Sequence, residues 1–270
     1  MEKHEVKLIG VPETMLIPLW AKAQETKRDD SIIKDFKALE MIEKIDYDFS
    51  IFGSYDEFYK TQVAIAGRTK ILDDLTREYI KKNPKGTIIN MGAGLDTRPT
   101  RIDIKDANWY DIDLAEGISI RKKFINETDQ HKFIEKSLFD YQWIDLIDKR
   151  ENVLFIAEGI FMYFSMEQLK ELFKKLADNF TNSHIIFEAM DPLAVGNAKR
   201  HESVKKLKTK SEFLSGFKSG KEVEIFDHRL KFTGEWYHMD IGGKRWKGLR
   251  FFSIIPRFKR MAKIIEIKIN

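Results

Sequence analysis

Gly92 and Gly94 stand one residue apart, and an acid, Asp113, follows 19 residues past the second. Glycine reaches positive φ without strain and leaves room for a ligand against the backbone. A carboxylate at the later position can accept hydrogen bonds from both ribose hydroxyls, as in nucleoside-binding βαβ units. The set suits an adenosyl or nucleotide ligand at the C-terminal edge of a parallel sheet. A dinucleotide would want a third glycine where helix packs on strand, and Thr97 occupies that position. No diphosphate-cradling glycine run follows. On these residues alone, a plain turn at the two glycines and a solvated aspartate stay open beside the ligand reading.

The elements that must hold these residues follow from the apolar pattern. Residues 86–91 read as a buried strand entering the glycine turn, which Pro99 closes off. Residues 108–113 form the next strand, 114–126 a crossover helix with Arg121, Lys122 and Lys123 exposed, and 131–138 a third strand. The uninterrupted apolar run 152–157 is the central fourth strand, buried on both faces. Residues 184–188 are a fifth strand, 222–227 and 230–240 are extended, and 261–270 alternates as a terminal strand. Helical spacing places Leu16, Leu19 and Trp20 on one face, and Ile32, Ile33, Phe36, Leu39 and Ile42 on another, with Asp30 or Ser31 as its cap. A long helix spans 58–82 and ends at Pro84; an amphipathic one spans 166–180 after Ser165.

Composition narrows the function classes. With 43% hydrophobic and 12% aromatic residues, 270 positions suffice for one α/β domain with elaborations. There is no cysteine, which excludes disulfides, thiolate nucleophiles and Cys-ligated zinc and fits a reducing cytoplasm. No metal-ligand spacing stands out. No apolar run reaches the ~20 residues a membrane span needs, and the first five residues lack a secretion pattern. A soluble cytoplasmic chain without a membrane role is expected. A net charge of +4, from 47 basic and 43 acidic residues, is no nucleic-acid footprint. Basic clusters at 199–210, 244–250 and 257–263 are expected to be solvated faces.

The stretch Met91-Gly-Ala-Gly-Leu-Asp-Thr-Arg98, followed by Tyr110-Asp-Ile-Asp-Leu114, resembles the leucine carboxyl methyltransferase family, including its tetracenomycin-type polyketide O-methyltransferase branch. Gly-Ala-Gly-Leu-Asp-Thr-Arg is far more specific than Gly-x-Gly, and the resemblance runs from about Gly10 to the C-terminus. It implies a Rossmann-like class I methyltransferase: a mostly parallel seven-stranded sheet with helices on both faces, in one domain over 1–270. Extra helices over 1–57 form a cap, and 196–222 is a helical lid insertion where substrate identity is written. S-adenosyl-L-methionine is the implied methyl donor. The resemblance places Gly92, Ala93, Gly94, Asp113 and Leu114 around it, with Arg68 on its carboxylate and Glu158 near its methionine amine. A planar guanidinium suits a carboxylate bidentately, where lysine does not; a surface ion pair of Arg68 with Asp73 or Asp74 is the plain alternative. The family's Asp-Leu pair against adenine falls here on Ser137 and Leu138. A serine makes the weaker contact, or hands it to Asp140. Lys22, in the segment roofing the site, either faces a substrate carboxylate or is an exposed helical lysine.

Methyl transfer from a sulfonium needs alignment and exclusion of water more than acid–base help. A carboxylate acceptor is already ionised, whereas a phenol of pKa near ~10 profits from a base. The six histidines are His4, His131, His184, His201, His228 and His238. His228 and His238 fall where the family builds its acceptor pocket and are the candidate bases. The acceptor is a small molecule or a carboxyl terminus. Base methylation is disfavoured, because the fourth strand runs into Ala157-Glu-Gly-Ile160 rather than an Asn/Asp-Pro-Pro-aromatic turn. Two rivals stand beside this reading: a nicotinamide-dependent oxidoreductase, opposed by Thr97, and a non-catalytic module that keeps the fold, left standing by Ser137.

Overall fold

Short runs of Ile, Val and Phe bounded by glycine or polar turns become interior strands, because both their faces must leave water. The computed structural model describes residues 4–5, 11–196 and 212–270. Seven strands build one sheet: β1 (Thr87–Met91), β2 (Asn108–Asp113), β3 (His131–Glu135), β4 (Val153–Ala157), β5 (Ser183–Met190), β6 (Leu230–Tyr237) and β7 (Ala262–Ile269). Their order is β3-β2-β1-β4-β5-β7-β6, and β7 alone runs against the rest. β1 and β4 are buried along their whole length. The strand order reverses between β1 and β4, which opens a crevice at their C-terminal ends.

Helices α1 (Leu16–Thr26), α2 (Phe36–Lys44), α3 (Tyr55–Lys82), α4 (Ala115–Arg121) and α5 (Met166–Asn179) cover the sheet. On one face Ile71, Leu72 and Ile80 of α3 pack on Ile88, Trp109, Leu154 and Ile264. On the other, Leu169, Leu172, Phe173 and Leu176 of α5 pack on Ile89, Phe155, Phe187 and Ile265. α1 and α2 form a third cluster with Phe52, Phe58 and Leu95, above the strand ends. Capping boxes fix the starts of α3 and α5: Glu57 accepts from the Ser54 N–H at 2.8 Å, and Ser165 accepts from the Gln168 N–H at 3.2 Å.

Several boundaries differ from expectation. α2 begins at Phe36 rather than near Ile32, because Asp35 caps it by accepting from the Ala38 N–H at 2.9 Å. Phe36 is consequently exposed in the first turn. α4 stops at Arg121 instead of reaching 126, and Arg121 is fully buried, not exposed. It lies three residues after Ile118, on the helix face turned to the sheet. Gly220–Ile225 is a 3₁₀ turn rather than extended. Of the lid expected over 196–222, residues 197–211 lie outside the described residues, and so do His201 and the basic cluster at 199–210. Just after them, Phe213 and Phe217 are buried.

Candidate active site

The crevice floor is backbone. β1 ends at Met91, and the N–H groups of Gly92 and Ala93 donate to the Ile112 carbonyl at 2.8 and 3.1 Å. Gly92 and Gly94 both take positive φ, +66° and +46°, as the turn requires. Asp113, at the end of β2, accepts from the Gly94 N–H at 2.6 Å and from the Leu114 N–H at 2.7 Å. Its carboxylate keeps further lone pairs for a ligand, since each oxygen has two. Burial pushes the Asp113 carboxyl above its usual range, and the two N–H groups only partly offset that. A ligand that donates hydrogen bonds there restores the charged form.

Beneath the turn lies a second support absent from the sequence reading. Fully buried Arg121 donates to the carbonyls of Gly94 and Asp96 at 3.1 and 2.7 Å and pairs with Asp111 at 2.5 Å. Asp111 also accepts from Trp109 Nε1, Asn90 Nδ2 and His131 Nε2. This hub ties β2, β3 and α4 to the glycine turn.

One wall is an ion-pair network. Arg68, from α3, donates through Nε to Glu158 at 2.9 Å and through Nη1 to Glu188 at 2.7 Å. It therefore does not pair with Asp73 or Asp74; Asp73 belongs to Arg98 and Arg101, and Asp74 to Lys70 and Arg77. Arg98, with no exposed surface, reaches Asp73, Asp96 and Glu158 at 2.8, 2.6 and 2.5 Å. Burial alone would raise the Glu158 carboxyl, but Arg68 and Arg98 outweigh it and hold it below the usual range. Asp96 behaves likewise under Arg98, Lys22 and Arg101. Lys22 is 2% exposed, with Nζ 3.4 Å from Asp96, so the exposed alternative is overturned. Its spacing of three from Leu19 put it on the inward face of α1 and was the available signal.

Turn and network enclose a cavity of about 270 Å³. Gly92, Ala93, Gly94, Asp96, Asp113, Leu114 and Glu158 line its inner side. Met15, Ile17, Pro18, Ile65, Met190 and Phe213 line the outer, together with the polar Tyr163, Glu188, His238, Lys22, Arg68 and two threonines. His238 reaches this wall because Gly67 in α3 lets its backbone close in: a Cβ at Gly67 would sit 3.0 Å from the His238 carbonyl oxygen. Burial holds the His238 imidazole down at about 4, against the pull of Glu188, so it is neutral. Its Nε2 has no hydrogen-bond partner among the described residues and lies 3.9 Å from Glu188 Oε1. Burial lifts the Tyr163 phenol to about 12.

Other expected positions fall away from the cavity. His228 is 90% exposed beside Asp227, next to the Leu230 end of β6, which pairs with Ile269 at the sheet edge opposite the crevice. Neither Ser137 nor Leu138 lines the cavity: Leu138 packs in the core near Met91, and Ser137 Oγ accepts from the Phe139 N–H at 3.2 Å. Asp140 caps the 3₁₀ turn Tyr141–Leu146 and pairs with Lys136. His131 and His184 are held by Asp111 and Glu266.

The family model for leucine carboxyl methyltransferases matches residues 15–177. The chain is 25% identical to the tetracenomycin polyketide synthesis O-methyltransferase TcmP of Streptomyces glaucescens, over 87% of this chain and 86% of that one. It is 24% identical to the S-adenosyl-L-methionine-dependent methyltransferase dpfgK of Gibberella zeae, over 68% of this chain and 66% of that one. Its fold matches the crystal structure of a DUF574 family protein from Streptomyces avermitilis with a TM-score of 0.59 at 11% identity, covering 93% and 97% of the two chains.

Proposed function

We propose, for a chain that belongs to the leucine carboxyl methyltransferase family, that this cavity is the active site of an S-adenosyl-L-methionine-dependent O-methyltransferase. The observation that carries the reading is the clasp of Gly92, Gly94 and Asp113 at the sheet's switch point. The residues fit the donor chemically. Asp113 offers oxygens to the ribose hydroxyls, and Leu114, 55% exposed on the cavity rim, offers an apolar face for the adenine in place of Ser137 and Leu138. Anionic Glu158 suits the donor's ammonium group, while Arg68 and Lys22 suit its carboxylate. When bound, the donor supplies a methyl group on a sulfonium, displaced in line by the acceptor oxygen.

The chain's own part is alignment, dryness and one hydrogen bond. The apolar outer wall excludes water from the line of attack. His238, neutral and with Nε2 unpaired among the described residues, can accept a hydrogen bond from an acceptor hydroxyl, and Glu188 beside it opposes the burial that disfavours the protonated ring. That pairing favours a phenolic or enolic hydroxyl over a carboxylate, within a small, polyketide-like acceptor in keeping with the name of TcmP. The cysteine-free composition supports a cytoplasmic setting, and the whole chain acts as one methyltransferase domain, with α1 and α2 as its cap.

Calorimetric titration tests the reading: adenosylhomocysteine should bind at a single site and NADH should not. Binding of NADH alone would move the assignment to an oxidoreductase. Binding of neither would leave a fold without the activity.

A further inference from the structure

Between His238 and Ala262, both in the cavity wall, the chain leaves the sheet and returns through 3₁₀ turns over Gly243–Ile254 and a short helix, Pro256–Lys259. The base of this excursion is anchored. Arg245 grips Glu25 of α1 with both terminal nitrogens at 2.8 Å, and buried Trp246 donates to the Ile241 carbonyl at 2.6 Å. Beyond the anchor the character inverts. Phe251 is 77% and Ile254 79% exposed, and Phe252, Ile255 and Phe258 are exposed with them. The rings of Phe252 and Phe258 lie 5.2 Å apart and pack on each other, and Phe251, Ile254 and Ile255 stand exposed beside them in the chain. Large aromatic and aliphatic groups gathered outward mark an interaction surface, not ordinary exposure.

The charge carried by this excursion is of one sign. Every charged residue between Ile241 and Ile265 is Lys or Arg. Lys247 and Lys259 pair with Asp56 and Asp240, and Lys244, Arg250, Arg257 and Arg260 expose side-chain surface beside the apolar residues. Apolar side chains beside cations match a bilayer with anionic headgroups, where the apolar groups enter the interface and the cations meet lipid phosphates. A second copy of the chain fits less well, because an isologous contact would set Arg and Lys against themselves. Nucleic acid would use the cations and the rings but give Ile254 and Ile255 no flat partner. No described helix is long and apolar enough to cross a membrane, and lying on one needs no such helix.

We propose that residues 243–260 seat this protein reversibly on an anionic membrane surface, with Phe251 and Ile254 entering the headgroup region. The lack of a spanning run, from which no membrane role was expected, does not bear on surface attachment. The test is co-sedimentation of the full chain with vesicles of phosphatidylcholine alone or with about a third phosphatidylglycerol. Binding should be roughly tenfold stronger to the anionic vesicles and weaken in high salt. The double variant Phe251→Asp, Ile254→Asp should lose most of that binding with an unchanged melting temperature. In Phe251→Trp, the emission should shift to shorter wavelength on vesicle addition and be quenched by brominated lipid. Equal or absent binding to the two vesicle types would overturn the proposal, as would full retention in the double variant. So would a labelled oligonucleotide or self-association, by light scattering, as the only contact that the double variant abolishes.

Discussion

The inner side of the cavity is shaped by Gly92, Gly94 and Asp113, with Asp96 and Glu158 beside them already paired to Arg98. The outer side is walled by Met15, Ile17, Pro18 and Phe213, with one imidazole nitrogen left without a hydrogen-bond partner among the described residues. The inner side comes from a turn and a strand end close together in sequence, joined by Glu158 from the end of β4. The outer side gathers α1, α3, the end of β5 and the start of β7 from across the chain. A site that must hold one invariant donor is built from backbone and satisfied ions. A site that must choose an acceptor is built from replaceable side chains.

The contrast breaks most visibly at Arg98. Arg98→Met leaves Asp73, Asp96 and Glu158 buried without their shared cation, and should cost about 3–5 kcal/mol of stability in urea unfolding. A loss under about 1 kcal/mol would mean that the network is not the frame of the inner side. Next is His238→Gln, which should lower kcat on a hydroxyl acceptor by roughly 10²-fold while leaving adenosylhomocysteine affinity unchanged. The same residue sets a pH dependence. Its imidazole is held at about 4 when folded, against 6.5 as the ordinary value, so the unfolded chain binds more protons between those values. Stability should fall as pH drops from about 6.5 toward 4, and the acid limb of kcat should lie near 4 instead of 6.5. Asp113→Ala removes charge-assisted hydrogen bonds on the inner side and should weaken adenosylhomocysteine by roughly tenfold, near 1.5 kcal/mol, in calorimetry. His228→Ala, on the far edge, should change kcat and stability by less than about 0.5 kcal/mol; a larger loss of activity would redraw the outer side.

The same division governs what could be read from the chain. The strands and the glycine turn were legible because their residues answer to neighbours a few positions away: 152–157 had to be buried on both faces, and Gly92 and Gly94 had to turn. Asp113 followed from spacing. Arg121 was expected to be exposed, and exposure was one of the two readings of Lys22, although both helical positions pointed inward, because charge is a strong prior for the surface and only a buried partner overrides it. Glu188 and His238 meet across β5 and the residues after β6, a pairing no local pattern encodes. His228 and His238 looked alike in sequence, ten residues apart; an eight-residue strand carries them to opposite ends of the sheet.

The hub at Asp111 bears on how fast the site can fill. Arg121 holds the Gly94 and Asp96 carbonyls from below, and its own anchor is shared with His131 and Trp109 in two strands. The turn thus has its shape before any visitor arrives, and little ordering entropy remains to be surrendered on arrival. Entry on that side should be limited by diffusion through the mouth rather than by rearrangement of the floor.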